Sequence, residues 1–247
     1  MDLVHKYKPH TNRVYCVCVT SDNKYVVSGS KDGTVRITCL DTGELVRVIR
    51  GHMFWVHDVC VTSDNKYVVS GSWDKTVRIT CLDTGDLVRV IKGHTNWVWS
   101  VCVTSDNKYV VSGSYDTTVR ITHLDTGKLV RVIKGYTDGV RCVCVTSDNE
   151  YVVSGSYDKT IRITRFDNGQ IVNEIQLGSS VTSIHVSPNQ HNIVAGCYDG
   201  TIHVFWTPMY MLKRQWGQVF LWKQQFKLFQ KYPGLTRYIG TKLLLFC

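Results

Sequence analysis

Polar and apolar positions in this chain alternate in short bursts. Residues 56–62 (Val-His-Asp-Val-Cys-Val-Thr), 67–72 (Tyr-Val-Val-Ser-Gly-Ser), 75–81 (Lys-Thr-Val-Arg-Ile-Thr-Cys) and 87–91 (Leu-Val-Arg-Val-Ile) are short runs rich in β-branched residues. Runs of that length and composition predict strands. Between them stand Asp64-Asn65, Trp73-Asp74-Lys75 and Asp83-Thr84-Gly85. Their Asp, Asn and Gly residues suit tight turns.

The set then returns. Tyr25 to Asp32, Tyr67 to Asp74, Tyr109 to Asp116 and Tyr151 to Asp158 recur every 42 residues, and a weaker copy spans Asn192 to Asp199. Self-similarity at that period marks repeated supersecondary units. Four short antiparallel strands per unit predict an all-β fold, a β-propeller of four-stranded blades with five blades visible. The units lie near 9–50, 51–92, 93–134, 135–175 and 176–206. Residues 2–8 align with the last strand of a unit, while Val181 to Trp206 supplies only three strands. A ring closed by the N-terminal strand accounts for both deficits and removes unpaired edges. The alternative is a broken solenoid.

Composition narrows the setting. Hydrophobic residues make up 43% and prolines number 4, so a large core is available and little of the chain reads as linker. The first residues lack the order of a secretory signal, and no apolar run reaches the ~18 residues of a membrane span. A cytoplasmic location is the default, with nuclear or cytoskeleton-associated settings as alternatives. Seven basic and no acidic residues lie in 207–247, against a net charge of +9 for the whole chain, so the repeats are nearly neutral. Only this tail has the footprint of a nucleic-acid or anionic-membrane binder.

Ten cysteines invite a disulfide or metal reading, which their spacing opposes. Cys18, Cys60, Cys102 and Cys144 hold one repeat-equivalent position, one in each unit, as small core fillers. Cys16 with Cys18, and Cys142 with Cys144, share a strand face and do not form a metal-binding C-x-x-C turn. No metal and no cofactor is expected.

Gly51-His52 and Gly93-His94, the lone His10 and the recurring Ser-Gly-Ser-x-Asp segment give the chain a specific likeness. Over residues 2–206 it resembles the WD-repeat propeller family. That resemblance implies a hydrogen-bonded chain of aspartate, histidine and serine. It falls on Asp32, His10 and Ser28, on Asp74, His52 and Ser70, and on Asp116, His94 and Ser112. Ser154, Asp158 and Asp199 hold the remaining positions, with Tyr136 and Leu177 in place of histidine. The family's Trp-Asp dipeptide is replaced in every repeat: Thr38-Cys39, Thr80-Cys81, Thr122-His123, Thr164-Arg165 and Phe205-Trp206. The network is therefore expected to be shortened in three blades and cut in two, with a cost in stability.

A position serving the scaffold repeats, whereas one serving a partner is free to vary. The windows 11–15, 53–57, 95–99 and 137–141 share only their central valine, and the residue before the turn aspartate also changes. In the resembled family these two loci meet on one face, which implies a partner-binding surface of Arg13, Tyr15, Lys31, Trp55, His57, Trp73, Trp97, Trp99, Tyr115, Arg141, Tyr157 and Tyr198. Trp, Tyr and Arg are enriched at interface hot spots. The competing reading makes these rings groove fillers between blades. A further set, Arg36, Arg78, Arg120 and Arg162, fits local salt bridges better than an anion-binding ring.

Chemistry has little support. Ser-Gly-Ser lacks the lysine and spacing of a phosphate loop, and no nucleophile stands beside an identifiable base. The sequence therefore reads as a non-catalytic scaffold for protein or peptide partners within a multiprotein complex. The alternative is a membrane- or nucleic-acid-associated protein bound through its tail, where Leu212, Trp216, Val219, Trp222, Phe226 and Phe229 form a helical stripe among lysines. Docking on the repeats is a third fate for that stripe. An ending produced by a truncated or shifted reading frame is a fourth.

Overall fold

The computed structural model describes residues 6–207. Blade one contains β1 (Val14–Val19), β2 (Tyr25–Ser30), β3 (Val35–Cys39) and β4 (Leu45–Ile49). Blade two contains β5 (Val56–Val61), β6 (Tyr67–Ser72), β7 (Val77–Cys81) and β8 (Leu87–Ile91). Blade three contains β9 (Val98–Val103), β10 (Tyr109–Ser114), β11 (Val119–His123) and β12 (Leu129–Ile133). Blade four contains β13 (Val140–Val145), β14 (Tyr151–Ser156), β15 (Thr160–Arg165) and β16 (Ile171–Gln176). Blade five has only β17 (Val181–Val186), β18 (Asn192–Cys197) and β19 (Ile202–Trp206). Each blade is a separate sheet with its strands in chain order, and among the described residues there is no helix.

One irregularity recurs in all five sheets. Val14 pairs with Ser30 and Cys16 with Gly29, so Tyr15 is an extra residue bulged out of the ladder. His57, Trp99, Arg141 and Thr182 are bulged in the same way from β5, β9, β13 and β17. A bulge bends the strand and re-aims the side chain of its extra residue.

The core lies between successive sheets. Val27, Val35 and Ile37 of blade one pack against Val56, Val59, Val68 and Leu82 of blade two, and the same face-to-face contact recurs at the next two junctions. The middle glycine of each Ser-Gly-Ser makes this contact possible. A Cβ on Gly71 would lie 2.9 Å from Cγ1 of both Val98 and Val101, and one on Gly113 would meet Val140 and Val143 in the same way. On the rim away from the bulges, the β1–β2-type turn of blades one to four carries an asparagine with positive φ, and that of blade five carries Gln190. Asn65 Oδ1 accepts from Ser21 N–H at 3.0 Å, and Asn107 Oδ1 accepts from Ser63 N–H at 2.9 Å. All described cysteines are free thiols.

The expected closure by residues 2–8 is not what the structure shows. β19 is the outer strand of a three-stranded sheet, residues 6–9 carry no strand, and residues 2–5 lie outside the described residues. Nor do β1 and β17 pack together as the other successive inner strands do. Burial gives the physical signature. Val17 is 65% exposed while its equivalents Val59, Val101 and Val143 are 4–6% exposed; Ile202 is 74% exposed where Val35 and Val77 are 1–2%. Four junctions of one plan, the last with Val181 and Ile184 against Gly155, thus leave the front of blade one and the back of blade five uncovered. The helical stripe expected at 212–229 lies outside the described residues.

Candidate functional site

Two segments of each blade meet at the bulged end of the sheets. A backbone hydrogen bond ties the β2–β3-type turn to the loop before the inner strand: Lys31 N–H to Arg13 O at 2.9 Å, Trp73 to Trp55 at 3.0 Å, Tyr115 to Trp97 at 2.9 Å and Tyr157 to Gly139 at 2.9 Å. Because the tie is made by backbone, the side chains are free to differ. Together with the bulged residue, each blade projects three variable side chains at this end.

In blades one to four these side chains form a continuous wall of rings. Tyr15 lies 5.8 Å from Trp55, Trp55 stacks on Trp73 at 4.1 Å, and Trp73 stacks on Trp97 at 4.0 Å across the junction between blades two and three. Trp97 continues to Tyr115 at 5.5 Å, and Trp99 meets the edges of Tyr115 and Tyr157 at 4.9 and 5.0 Å. Blade four makes room for them by carrying Gly139, where a Cβ would lie 2.6 Å from Tyr115 and 2.8 Å from Trp99. Offset and edge contacts of this kind each contribute about 0.5–1.5 kcal/mol beyond burial.

The twelve residues expected on this face do not share one environment. Trp55, Trp73, Trp97 and Tyr157 are half-buried, and Tyr15, Tyr115 and Arg13 are exposed. Trp99 is only 6% exposed and packs inside the wall, as the groove-filling reading has it. Tyr198 is 79% exposed and, among the described residues, joins no stack. Lys31 Nζ sits 4.2 Å over the Trp55 ring, and the Arg141 guanidinium sits 5.3 Å over Trp99.

Behind the wall lies a polar relay whose origin, Asp58, sequence reading missed. Asp58 holds the position of Cys16, Ser100 and Cys142, and that change within a repeat was the available signal. Its Oδ2 accepts from Val101 N–H at 2.9 Å and its Oδ1 from Val59 N–H at 3.0 Å. Ser100 also bonds it and in turn accepts from Val143 N–H at 3.2 Å, so the relay spans three blades. Burial pushes the Asp58 carboxyl up to about 6, against the pull of those donors and of Arg141. Burial, helped by Arg141, pushes the neighbouring His57 down to about 4, against the pull of the Trp99 carbonyl.

The histidine positions form compact polar chains. His52 Nδ1–H donates to Asp74 at 2.7 Å and Ser70 Oγ–H donates to His52 Nε2 at 2.8 Å. His94 repeats both bonds with Asp116 and Ser112, and His10 with Asp32 and Ser28, the Asp32 contact being 3.0 Å. Burial raises these carboxyls, but hydrogen bonds from the histidines and from Thr34, Thr76 and Thr118 outweigh it and hold all three well below the usual range. In blade four Tyr136 takes the histidine's place and bonds Ser154, so the serine half of the chain survives there. Asp158 accepts from Thr137 N–H at 3.1 Å and from Thr160. Blade five has Ala195 at the serine position, leaving Asp199 bonded to Thr201 at 2.7 Å.

Of the strand arginines, Arg36 pairs with Asp32 at 3.8 Å and Arg162 with Glu174 at 2.8 Å, while Arg78 and Arg120 lie against Gly51 and Gly93. A second arginine set was not foreseen. Arg131 Nη1 donates to the Asn168 carbonyl of the next blade at 2.7 Å, and Arg89 reaches the Asp125 carbonyl likewise. Among the described residues no cluster of three or more His, Cys, Asp or Glu is placed to hold a metal ion, and no helix is long and apolar enough to cross a membrane.

Known families account for most of this architecture. The family described as WD domain, G-beta repeat, matches residues 1–38 and 43–80, and the WD40-like domain matches residues 96–218. A comparison with curated proteins finds no match.

Proposed function

Because the chain belongs to the WD-repeat family, whose members are in general non-catalytic scaffolds for protein interaction, we propose that it binds a protein partner through the aromatic wall of blades one to four. One observation carries the choice of surface: ring contacts run unbroken from Tyr15 to Tyr157 although the scaffold does not require aromatic residues there. Blade five folds with Ser180 and Thr182 at two of the three corresponding places and Tyr198 at the third. Large rings held in fixed positions bind at low entropic cost, since little side-chain freedom remains to be lost. The exposed Met53 and Phe54, 82% and 59% accessible, extend the apolar surface beside Trp55.

A photo-crosslinking amino acid at Tyr115, which is 41% exposed, tests the assignment. We expect a discrete crosslinked product that disappears when Trp97→Ala is added and does not form when the probe sits at Asp64, in the turn at the opposite end of the strands. Equal crosslinking from Asp64, or none from Tyr115, would count against this surface. The melting curve of Trp97→Ala serves as the folding control.

A further inference from the structure

The cations of the wall are not paired within hydrogen-bonding reach of a carboxylate among the described residues. Among the described residues Arg13, Lys31 and Arg141 enter no ion pair, in contrast to Arg36 and Arg162. The acidic groups at this end are already engaged. Asp74 and Asp116 bond their histidines, Asp158 takes Thr137 N–H, and Asp138 takes Gly139 N–H at 2.6 Å. Asp58 attracts Arg141 from behind but is held by its three donors inside the blades. Hydrogen bonding leaves those aspartates charged, so the positive charge that no ion pair answers is local to Arg13, Lys31 and Arg141.

Arg141 is half-buried, and the hydrogen-bond partner beside it is a neutral imidazole. His57 Nδ1 lies 3.0 Å from the Trp99 carbonyl oxygen and 3.3 Å from Arg141 Nη1. If Nδ1 carries the proton it donates to the carbonyl and cannot accept from Arg141; if it is bare it accepts from Arg141 and the carbonyl loses its donor. In either tautomer the guanidinium has at most one neutral partner here. A carboxylate would add full charge–charge attraction to the hydrogen bond, which a neutral imidazole cannot supply.

The stacking decides between anionic partners. Single-stranded nucleic acid needs free ring faces on which bases can stack. Both faces of Trp73 are occupied, by Trp55 at 4.1 Å and Trp97 at 4.0 Å; Trp97 also meets Tyr115, and Lys31 covers Trp55. What the wall offers to solvent is ring edges, which carry the positive end of the aromatic quadrupole. Edges and cations together favour carboxylates set beside apolar side chains.

Resting on the reading of this wall as the contact surface, we infer that its partner segment is an acidic peptide, with carboxylates meeting Lys31 and Arg141 and an apolar side chain lying on the Trp55, Trp73 and Trp97 edges. Arg13, exposed at the rim, adds attraction at longer range. Binding weakens as salt screens these charges.

The test measures fluorescence anisotropy with the full chain. Its probes are a labelled peptide of glutamates around a central leucine, the same peptide with glutamines, and a labelled oligouridylate. The glutamate peptide is expected to bind roughly tenfold more tightly than the glutamine peptide, and Lys31→Gln and Arg141→Gln are each expected to cost it roughly threefold to tenfold while leaving the glutamine peptide unchanged. Lys31 lies on the rim, so its variant keeps the test valid should Arg141→Gln perturb folding. Equal binding of the two peptides, tighter binding of the oligouridylate, or no binding of the glutamate peptide would overturn the acidic class. If the peptides bind equally and Trp97→Ala weakens both, the wall remains the contact surface. If Trp97→Ala changes neither, the wall itself is refuted.

Discussion

At the scale of single residues, the aspartates of the β2–β3-type turns each accept several hydrogen bonds at once. Asp74 accepts from His52, from Thr76 N–H at 3.0 Å, from Thr76 Oγ1–H at 2.6 Å and from Met53 N–H at 3.2 Å, tying its own turn to the segment before the inner strand. Its carboxyl is held below the ordinary range in the folded protein: burial works against this, but the His52 bond and charge and the Thr76 bonds prevail. A folded-state value below the unfolded one adds stability above the unfolded value of about 4, and that stability is lost as pH falls through the folded value. Asp74→Asn should therefore cost about 1–3 kcal/mol at neutral pH, the range for a buried donor left unsatisfied. Urea melts of both proteins should converge as the pH drops below about 4, where the Asp74 carboxyl of the unfolded chain begins to take up a proton that the folded form still refuses. A gap that stays constant across this range would show that ionisation of Asp74 is irrelevant.

At the scale of the blade, a single glycine sets how closely sheets approach. Gly113 leaves space for Val140 and Val143, whose Cγ1 atoms would lie 2.9 Å from an added Cβ, with the Val140 carbonyl at 3.4 Å. The backbone cannot yield as a flexible side chain can, so Gly113→Ala is expected to cost about 1–3 kcal/mol through overpacking. Gly196, its counterpart in blade five, meets only side-chain oxygens of its own sheet, Ser183 Oγ at 2.7 Å and Thr182 Oγ1 at 3.9 Å. Gly196→Ala should cost under about 1 kcal/mol, since a serine side chain can rotate away. Thermal melts of the two variants would separate these cases, and equal losses would show that something packs on blade five as blade four packs on blade three. The bulges belong to this scale as well. Each removes one residue from the ladder, which places Tyr15, His57 and Arg141 among the variable side chains of that end.

At the scale of the whole repeat body, stability is additive along the blades and its two end faces are uncovered. Each junction buries one set of valines, so interior and terminal copies of one sequence position differ in worth. Val59→Ala should cost about 2 kcal/mol, from lost burial and the cavity left behind. Val17→Ala, at the same position on the uncovered front of blade one, should fall within about 0.5 kcal/mol of wild type. Chemical denaturation at several protein concentrations checks both values. A Val17→Ala loss equal to that of Val59→Ala would mean that the first face is covered in solution.

Much of this protein was determined by sequence alone, because a repeat reports local physics several times over. Strand composition, turn residues and the 42-residue period gave the blades nearly to the residue: the expected strand 67–72 is β6, and 181–186 is β17. The chain of aspartate, histidine and serine was implied by the family resemblance, and blades one to three form it. Tertiary structure decided what depends on neighbours. Whether the ends meet is set by junction geometry accumulated over four interfaces, and no local pattern encodes that sum. Trp97 and Trp99 sit two residues apart, yet one is half-buried on the wall and the other is enclosed by Tyr115 and Tyr157. Only the bulge in β9 and the space left by Gly139 in the next blade separate them, and both arise from strands brought together by folding.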